Sequence, residues 1–223
     1  MSKIIIIGAG AMGSAFTIPC IENGNDVTLI GTHLENDLIS EISKSFHPAL
    51  EVALPRKLKI EKFERIKDYS DADLIVCAVS SLGVDWFIDQ ISRMKDKRLN
   101  VVLLTKGLAI QGGKLITISY KIQSELKKKG FNDIVISAIK GPCLAAGLAN
   151  KIRTSTVIAN ENKDTAKLIQ KIITTEYYST ETSEDVKGVE FCGAIKNIYS
   201  MLIGASEGLS NPSASESIKS KYF

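Results

Sequence analysis

The sequence predicts an α/β protein: a doubly wound parallel sheet followed by the first helix of an incomplete all-α domain. Three observations carry this reading. Four consecutive isoleucines, Ile4, Ile5, Ile6 and Ile7, stop abruptly at a glycine-rich turn, and a continuous β-branched run suits a parallel strand covered on both faces. Further apolar runs of strand length then alternate with segments of helical length. After about Asp185 the pattern changes to one long helical repeat, so the domains are expected at 1–185 and 186–223.

The first strand ends in Gly8-x-Gly10-x-x-Gly13, which opens a helix expected over residues 11–23 and is followed by a second strand at 26–30. In that context the glycines have separate uses. Gly8 allows the tight turn, Gly10 lets a pyrophosphate approach the backbone, and Gly13 lets the helix sit close to the strand, with the helix N–H groups facing the phosphates. This is the dinucleotide-binding arrangement of a Rossmann-type sheet. The next strand is expected at 72–79, then a helix at 84–94, a strand at 100–104 and a helix at about 114–129. Strands at 134–139 and 154–159 and a helix at 163–174 follow. Ligands of such sheets lie beyond the carboxyl ends of the strands. Those ends carry the clusters Gly8 to Gly13, Gly31 to His33, Ser80 and Ser81, Thr105 to Gly107, and Lys140 to Cys143, so one crevice is expected to collect all five. Past Asp185, the residues Val186, Val189, Phe191, Ile195, Ile198, Leu202 and Ile203 recur at helical spacing and predict a helix over 186–206 that needs a cover. The polar tail beyond it, with Asn211, Pro212 and several serines, offers little apolar surface, so either the sheet domain covers that helix or something is missing; without its cover, poor solubility or self-association through that face is expected, a homodimer being one form of it.

Composition narrows the function classes. The chain of 223 residues has a net charge of +3, from 28 basic and 25 acidic residues scattered along it. Only Lys127, Lys128 and Lys129 cluster, just before Gly130, which suits the cation-favouring end of a helix. No basic patch is interleaved with aromatic residues, so nucleic acid is not an expected partner. The four cysteines, Cys20, Cys77, Cys143 and Cys192, are far apart in apolar or small-residue stretches and read as buried reduced thiols. No charged leader precedes the first strand and no apolar run reaches membrane-spanning length, so a cytoplasmic protein with no membrane span is expected.

Two lysines stand out. Lys106 lies just past a strand's carboxyl end; it is either an exposed loop lysine or a phosphate ligand. Lys196 interrupts a run of small and apolar residues; it is either a lysine snorkelling at a helix surface or a partly buried ammonium, with a lowered pKa, that can donate a proton to a reacting carbonyl oxygen.

The segments Gly8-Ala-Gly-Ala-Met-Gly13, Thr105-Lys-Gly-Leu108, Gly141-Pro142 and Cys192-Gly-Ala-Ile-Lys-Asn-Ile-Tyr199 resemble, in order and separation, the soluble NAD(P)-dependent glycerol-3-phosphate dehydrogenases. The segments Asn23-Gly-Asn25, Gly31-Thr32, His47-Pro48 and Thr175-Glu-Tyr-Tyr178 are similar to the archaeal members, and the resemblance runs from about residue 3 to about residue 214. It implies hydride transfer between the nicotinamide of NAD or NADP and C2 of dihydroxyacetone phosphate, giving sn-glycerol 3-phosphate, without a metal. It implies Lys196 as general acid or base with Asn197 beside it, and Lys106 touching both substrate and cofactor. Gly141 and Cys143 would line the substrate pocket and Ala145 the nicotinamide side. Gly8, Gly10, Ala11, Met12, Gly13, Thr32, His33 and Ser80 complete the cofactor set. A ketopantoate reductase, which shares the glycine loop and a lysine, explains neither Thr105-Lys-Gly107 nor the surroundings of Lys196.

The departures from that family also carry expectations. Cys143 stands where a serine or threonine is usual, and Lys140 where a small polar residue is usual. Family members continue as a helical domain whose aspartate, hydroxyl residue and Arg-Asn pair close over the substrate phosphate. Here the tail from Glu216 to Phe223 no longer resembles them, which reads as a truncated or frameshifted frame and leaves a non-catalytic dinucleotide-binding remnant or partner-dependent subunit as the alternative. No carboxylate stands among Gly31, Thr32 and His33 to meet a ribose 2′-OH, so NADPH is expected to bind at least as well as NADH.

Overall fold

The computed structural model describes residues 1–43, 46–94 and 98–210. The tail beginning at Asn211 lies outside the described residues. Strand β1 (Lys3–Ile7) leads into α1 (Ala11–Glu22), β2 (Asp26–Ile30), α2 (Asn36–Ile42), the short strands β3 (Phe46–His47) and β4 (Val52–Ala53), and β5 (Lys59–Glu61). Then come β6 (Leu74–Cys77), α3 (Val84–Ile91), β7 (Arg98–Leu103), β8 (Leu108–Gln111), β9 (Lys114–Thr117) and α4 (Ile118–Lys128). The chain continues through β10 (Asp133–Lys140), α5 (Ala145–Ala149), β11 (Thr154–Ala159), α6 (Lys163–Ile173), β12 (Tyr178–Ser183) and α7 (Val186–Ser210).

Eight strands form one sheet in the order β12-β11-β10-β7-β6-β1-β2-β5, and the six from β10 to β5 run parallel. The isoleucine run shows why. Ile4 and Ile6 belong to the core on the α1, α5 and α6 face, whereas Ile5 and Ile7 belong to the core on the α3 and α4 face. All four are fully buried, each contributing roughly 1.5–3 kcal/mol.

The expectation of a wholly parallel sheet fails at 154–159. There β11 pairs antiparallel with β10, and β12 pairs parallel with β11, so the last two strands run against the other six. The connection explains this: α5 has five residues, about 7.5 Å of helix, whereas β10 has eight, about 26 Å of strand. So short a helix cannot return the chain to the amino end of β10, and the chain turns back at the carboxyl edge. Residues 141–153 therefore stay beside the crevice.

Residues 114–117 were expected to begin a helix but form β9, which pairs with β8 across Gly112 and Gly113, both with positive φ (57° and 73°). The helix starts only at Ile118, where Thr117 caps it by accepting the Tyr120 N–H. Lys127 and Lys128 do close that helix, and Gly130 follows in the left-handed region.

Only the first part of α7 packs on the sheet: Val186 and Val189 meet Ala138 and Ala159. Farther along, Ile198, Met201, Leu202, Ile203 and Leu209 are exposed, so among the described residues the helix lacks the cover its pattern requires. Cysteines 20, 77 and 143 are buried free thiols, but Cys192, on α7, is exposed, correcting the expectation that all four are buried. It lies on a helix face that the sheet does not reach.

One seating is decisive. A Cβ on Gly13 would overlap the carbonyl oxygen of Gly8, and a Cβ on Gly8, whose φ is +113°, would stand 2.7 Å from the Ala78 carbonyl carbon. The start of α1 thus lies directly on the end of β1. Gly13→Ala is expected to destabilise the fold by roughly 1–3 kcal/mol through overpacking against backbone, read as a lower midpoint in urea unfolding; an unchanged midpoint would contradict this seating.

Candidate dinucleotide and substrate site

The carboxyl ends of β2, β1, β6, β7 and β10 are neighbours along one sheet edge, and all five sequence clusters lie there. At the centre, Gly10 precedes α1 with no side-chain cap and no acidic residue in the helix's first turn. The first-turn N–H groups, including those of Ala11, Met12 and Gly13, have no helical carbonyl within reach. They suit an anion. Space over Gly10 is open: among the described residues, its own chain neighbours apart, a Cβ placed there would have only Glu35 Oε1 within 4 Å, at 3.8 Å. A pyrophosphate therefore fits this loop.

Three groups brace the loop. The Ala9 carbonyl accepts from Ser14 Oγ (2.9 Å) and lies 3.2 Å from Nε2 of the buried His47, while the Ala9 N–H donates to Glu35 Oε2 (3.0 Å). The same carboxylate oxygen accepts from the Thr32 N–H at 2.7 Å. None of Gly31, Thr32 and His33 is a carboxylate, but Glu35, at the start of α2, brings one to the Thr32 N–H. A usable signal was present, because Glu35 follows Gly13 by 22 positions, near the roughly 20-residue spacing common for a ribose-binding acid. His33 is exposed, and its ring leans on Trp86 (centroids 5.2 Å apart), with Phe63 completing a small aromatic cluster. Ser80 is exposed just past β6, and Ser81 meets Gly107, whose Cβ would stand 3.3 Å from that of Ser81.

On the other side of the loop, Lys106 follows the end of β7. Its pKa is lowered, first by partial burial and then by the Lys196 ammonium, with Cys143 acting the other way. Lys196 is half-buried on α7, near enough to Lys106 for the two ammonium charges to repel; Asn197 beside it is exposed. A hollow next to them is lined by Met12, Lys106, Lys140, Gly141, Cys143, Thr156 and Tyr178. Gly141 belongs there for steric reasons, since a Cβ on it would stand 2.8 Å from both Ser155 O and Thr156 Cα. Cys143 is buried with its thiol pKa raised by desolvation, and Ala145, partly buried, opens α5 against α1. A larger hollow of about 250 Å³ lies toward the amino end of β10 and contains none of these residues.

Sequence reasoning missed the work of Lys140. It is 4 % exposed, and its Nζ donates to the carbonyls of Leu103 (3.0 Å) and Thr105 (2.7 Å), holding the turn that presents Lys106. Its stem runs under Gly193 of α7, where a Cβ would stand 2.9 Å from Lys140 Cδ. One turn earlier on that helix, the buried Glu190 accepts from the N–H and Oγ of Ser119 and attracts the Lys140 ammonium. Among the described residues no group of histidines, cysteines and carboxylates could hold a metal ion, and no helix is long and apolar enough to cross a membrane.

A parallel sheet with a glycine loop at a helix N-terminus, and polar groups gathered at its carboxyl edge, defines a dinucleotide-binding domain. Comparison with known proteins gives the particular kind. Residues 3–166 match the model of the NAD-dependent glycerol-3-phosphate dehydrogenase N-terminus. The NADP(+)-dependent glycerol-3-phosphate dehydrogenase of Archaeoglobus fulgidus is 31% identical over 211 residues, covering 92% of this chain and 60% of that protein. The glycerol-3-phosphate dehydrogenase [NAD(P)+] of Leptospira biflexa is 32% identical over 93% of this chain and 61% of its own length. The crystal structure of glycerol-3-phosphate dehydrogenase from Coxiella burnetii superposes with a TM-score of 0.79 at 25% identity, over 94% of this chain and 62% of that one. The chain belongs to the NAD-dependent glycerol-3-phosphate dehydrogenase family. It spans about 60% of the length of the curated relatives it matches.

Lys140 gives the site a measurable pH signature. Burial, aided by Lys106 and opposed by Glu190 and Cys77, lowers its pKa from 10.5 to about 8. Below about pH 8 both folded and unfolded chains are protonated there, and the full cost of the buried charge is present. Between about 8 and 10.5 the unfolded chain holds the proton and the folded chain does not, so this group makes stability rise with pH. Urea unfolding across that window should show wild type gaining on Lys140→Met as pH rises; a constant difference between them would contradict the assignment.

Proposed function

We propose that this chain is the cofactor-binding part of an oxidoreductase that interconverts dihydroxyacetone phosphate and sn-glycerol 3-phosphate with NAD(P)H and NAD(P)+. What supports this most is that Lys106 and Lys196, 90 positions apart in sequence, are close enough in the fold for their charges to repel, near the dinucleotide loop. When bound, the nicotinamide supplies or takes the hydride at C2. The residues of this chain do the rest. Hydride arrival at the carbonyl carbon builds negative charge on the C2 oxygen, and the Lys196 ammonium stabilises that charge and delivers the proton, which leaves a neutral amine to be reprotonated from solvent. Lys106 holds a second positive charge next to the substrate and the cofactor. The hollow formed by Gly141 and Cys143 takes the substrate body, Asn197 donates to it, and Ala145 packs on the nicotinamide side. The pyrophosphate rests on the loop from Gly8 to Gly13, with Thr32, His33 and Ser80 along the adenosine path. On this reading the second domain begins at Val186, where α7 starts. A cytoplasmic location goes with this reading.

A second reading, a dinucleotide-binding subunit that turns over only with a partner or as a homodimer, is favoured by the exposed apolar residues of α7. Its exposed Ile198, Leu202 and Ile203 are where such a partner docks.

The test uses the 223-residue chain alone and the same chain joined to the C-terminal part of the Archaeoglobus relative. Both should bind reduced dinucleotide saturably, and Gly10→Val should abolish this without loss of fold, because its side chain enters open space that the pyrophosphate needs. Oxidation of NAD(P)H by dihydroxyacetone phosphate should appear in the joined protein and fall by about 10²-fold or more in Lys196→Ala. Undiminished turnover in that variant would sink the assignment of the proton donor. Equal turnover by the unjoined chain would sink the partner-dependent reading.

A further inference from the structure

The Thr105 carbonyl belongs to the same planar peptide unit as the Lys106 nitrogen, so whatever grips that oxygen sets the plane from which the Lys106 side chain springs. Lys140 grips it. Its Nζ donates to Thr105 O at 2.7 Å and to Leu103 O at 3.0 Å, spanning the end of β7. From the opposite side, Thr105 Oγ1 donates to the Val79 carbonyl at 2.7 Å, which ties the same residue to the end of β6. Gly107, at a φ of +121°, lets the chain turn away directly afterwards.

The other end of this brace is α7. The Lys140 stem passes so close to Gly193 that a Cβ there would stand 2.9 Å from Cδ and 3.0 Å from Cγ. Glu190 and Lys196 lie about one turn before and one turn after Gly193. Glu190 is buried, accepts from the N–H and Oγ of Ser119 on α4, and attracts the Lys140 ammonium. One stretch of α7 is thus packed on the side chain that holds the Lys106 peptide. A methionine would fill the same space without the loss of hydration that a buried ammonium suffers. It could not donate to the Thr105 carbonyl.

We propose that Lys140 is a positioning residue that acts through Lys106: it fixes the Thr105–Lys106 peptide beneath the helix bearing Lys196, and Glu190 holds it there. The inference rests on the function proposed above. Its first test is amide exchange in the 223-residue chain, which needs no turnover. Lys140→Met should speed exchange by about tenfold or more in the peptides containing Thr105 to Gly107 and Cys192 to Asn197, with β2 and α2 unchanged. Glu190→Gln keeps an acceptor for Ser119, removes the attraction, and should give a smaller acceleration in the same peptides; it carries the test if Lys140→Met fails to fold. The second test is NAD(P)H oxidation by dihydroxyacetone phosphate in the protein joined to the Archaeoglobus C-terminal part. There Lys140→Met should lower kcat by about tenfold or more, and Lys140→Met combined with Lys106→Met should be no slower than Lys106→Met alone. A residue that only supported the fold would multiply its own loss onto that of Lys106→Met. Multiplied losses, an undiminished kcat, or unchanged exchange around Lys106 would overturn the proposal. Absence of turnover in the joined wild type would instead overturn the function reading, with the exchange result still deciding the role of Lys140.

Discussion

The contact on which the crevice depends is the seating of α1 on the end of β1, with Gly13 lying over the carbonyl of Gly8. Two missing Cβ atoms permit it: the one at Gly13 and the one at Gly8, whose positive φ turns the chain hard against Ala78. That seating aims the unpaired N–H groups of α1 along the sheet edge instead of into solvent. It also brings Ala9 within reach of Ser14, His47 and Glu35. Four parts of the chain, from β1 to the hairpin that carries His47, therefore converge on one peptide unit.

A second constraint operates on the far side of the loop. Placing the Lys140 ammonium under α7 is unfavourable in itself, since a buried cation loses its hydration. Two strand-end carbonyls and the nearby Glu190 offset part of that cost. In return the arrangement links the turn before Lys106 to the helix that bears Lys196. Burial, and after it the repulsion from Lys196, lowers the Lys106 pKa.

The sequence made the parallel half of this sheet legible because each strand there is covered on both faces, and two-sided burial writes itself as an unbroken β-branched run. The same rule hid β12, whose Glu181 and Ser179 are exposed, and β5, a three-residue edge strand. Strand direction was invisible at β11: Thr154 to Ala159 reads alike either way, and only the length of α5 distinguishes the two. The glycine loop, Lys106 and Lys196 could be found from local spacing. Glu35 lies five positions past the last residue of β2, outside the cluster that marks the strand's end, and Lys140 and Glu190, whose charges attract, are 50 positions apart with no local pattern to connect them.

The central claim is that five strand ends form one dinucleotide site. Amide hydrogen exchange with and without saturating NADH tests it most directly, because protection is read peptide by peptide along the chain. The account predicts slowed exchange together in the segments containing Ala9 to Gly13, Thr32, Ser80 and Ser81, Lys106 and Gly107, and Cys143 to Ala145, with no change in β9 or in α6. Protection confined to one of these segments, or centred on the hollow at the amino end of β10, would contradict it.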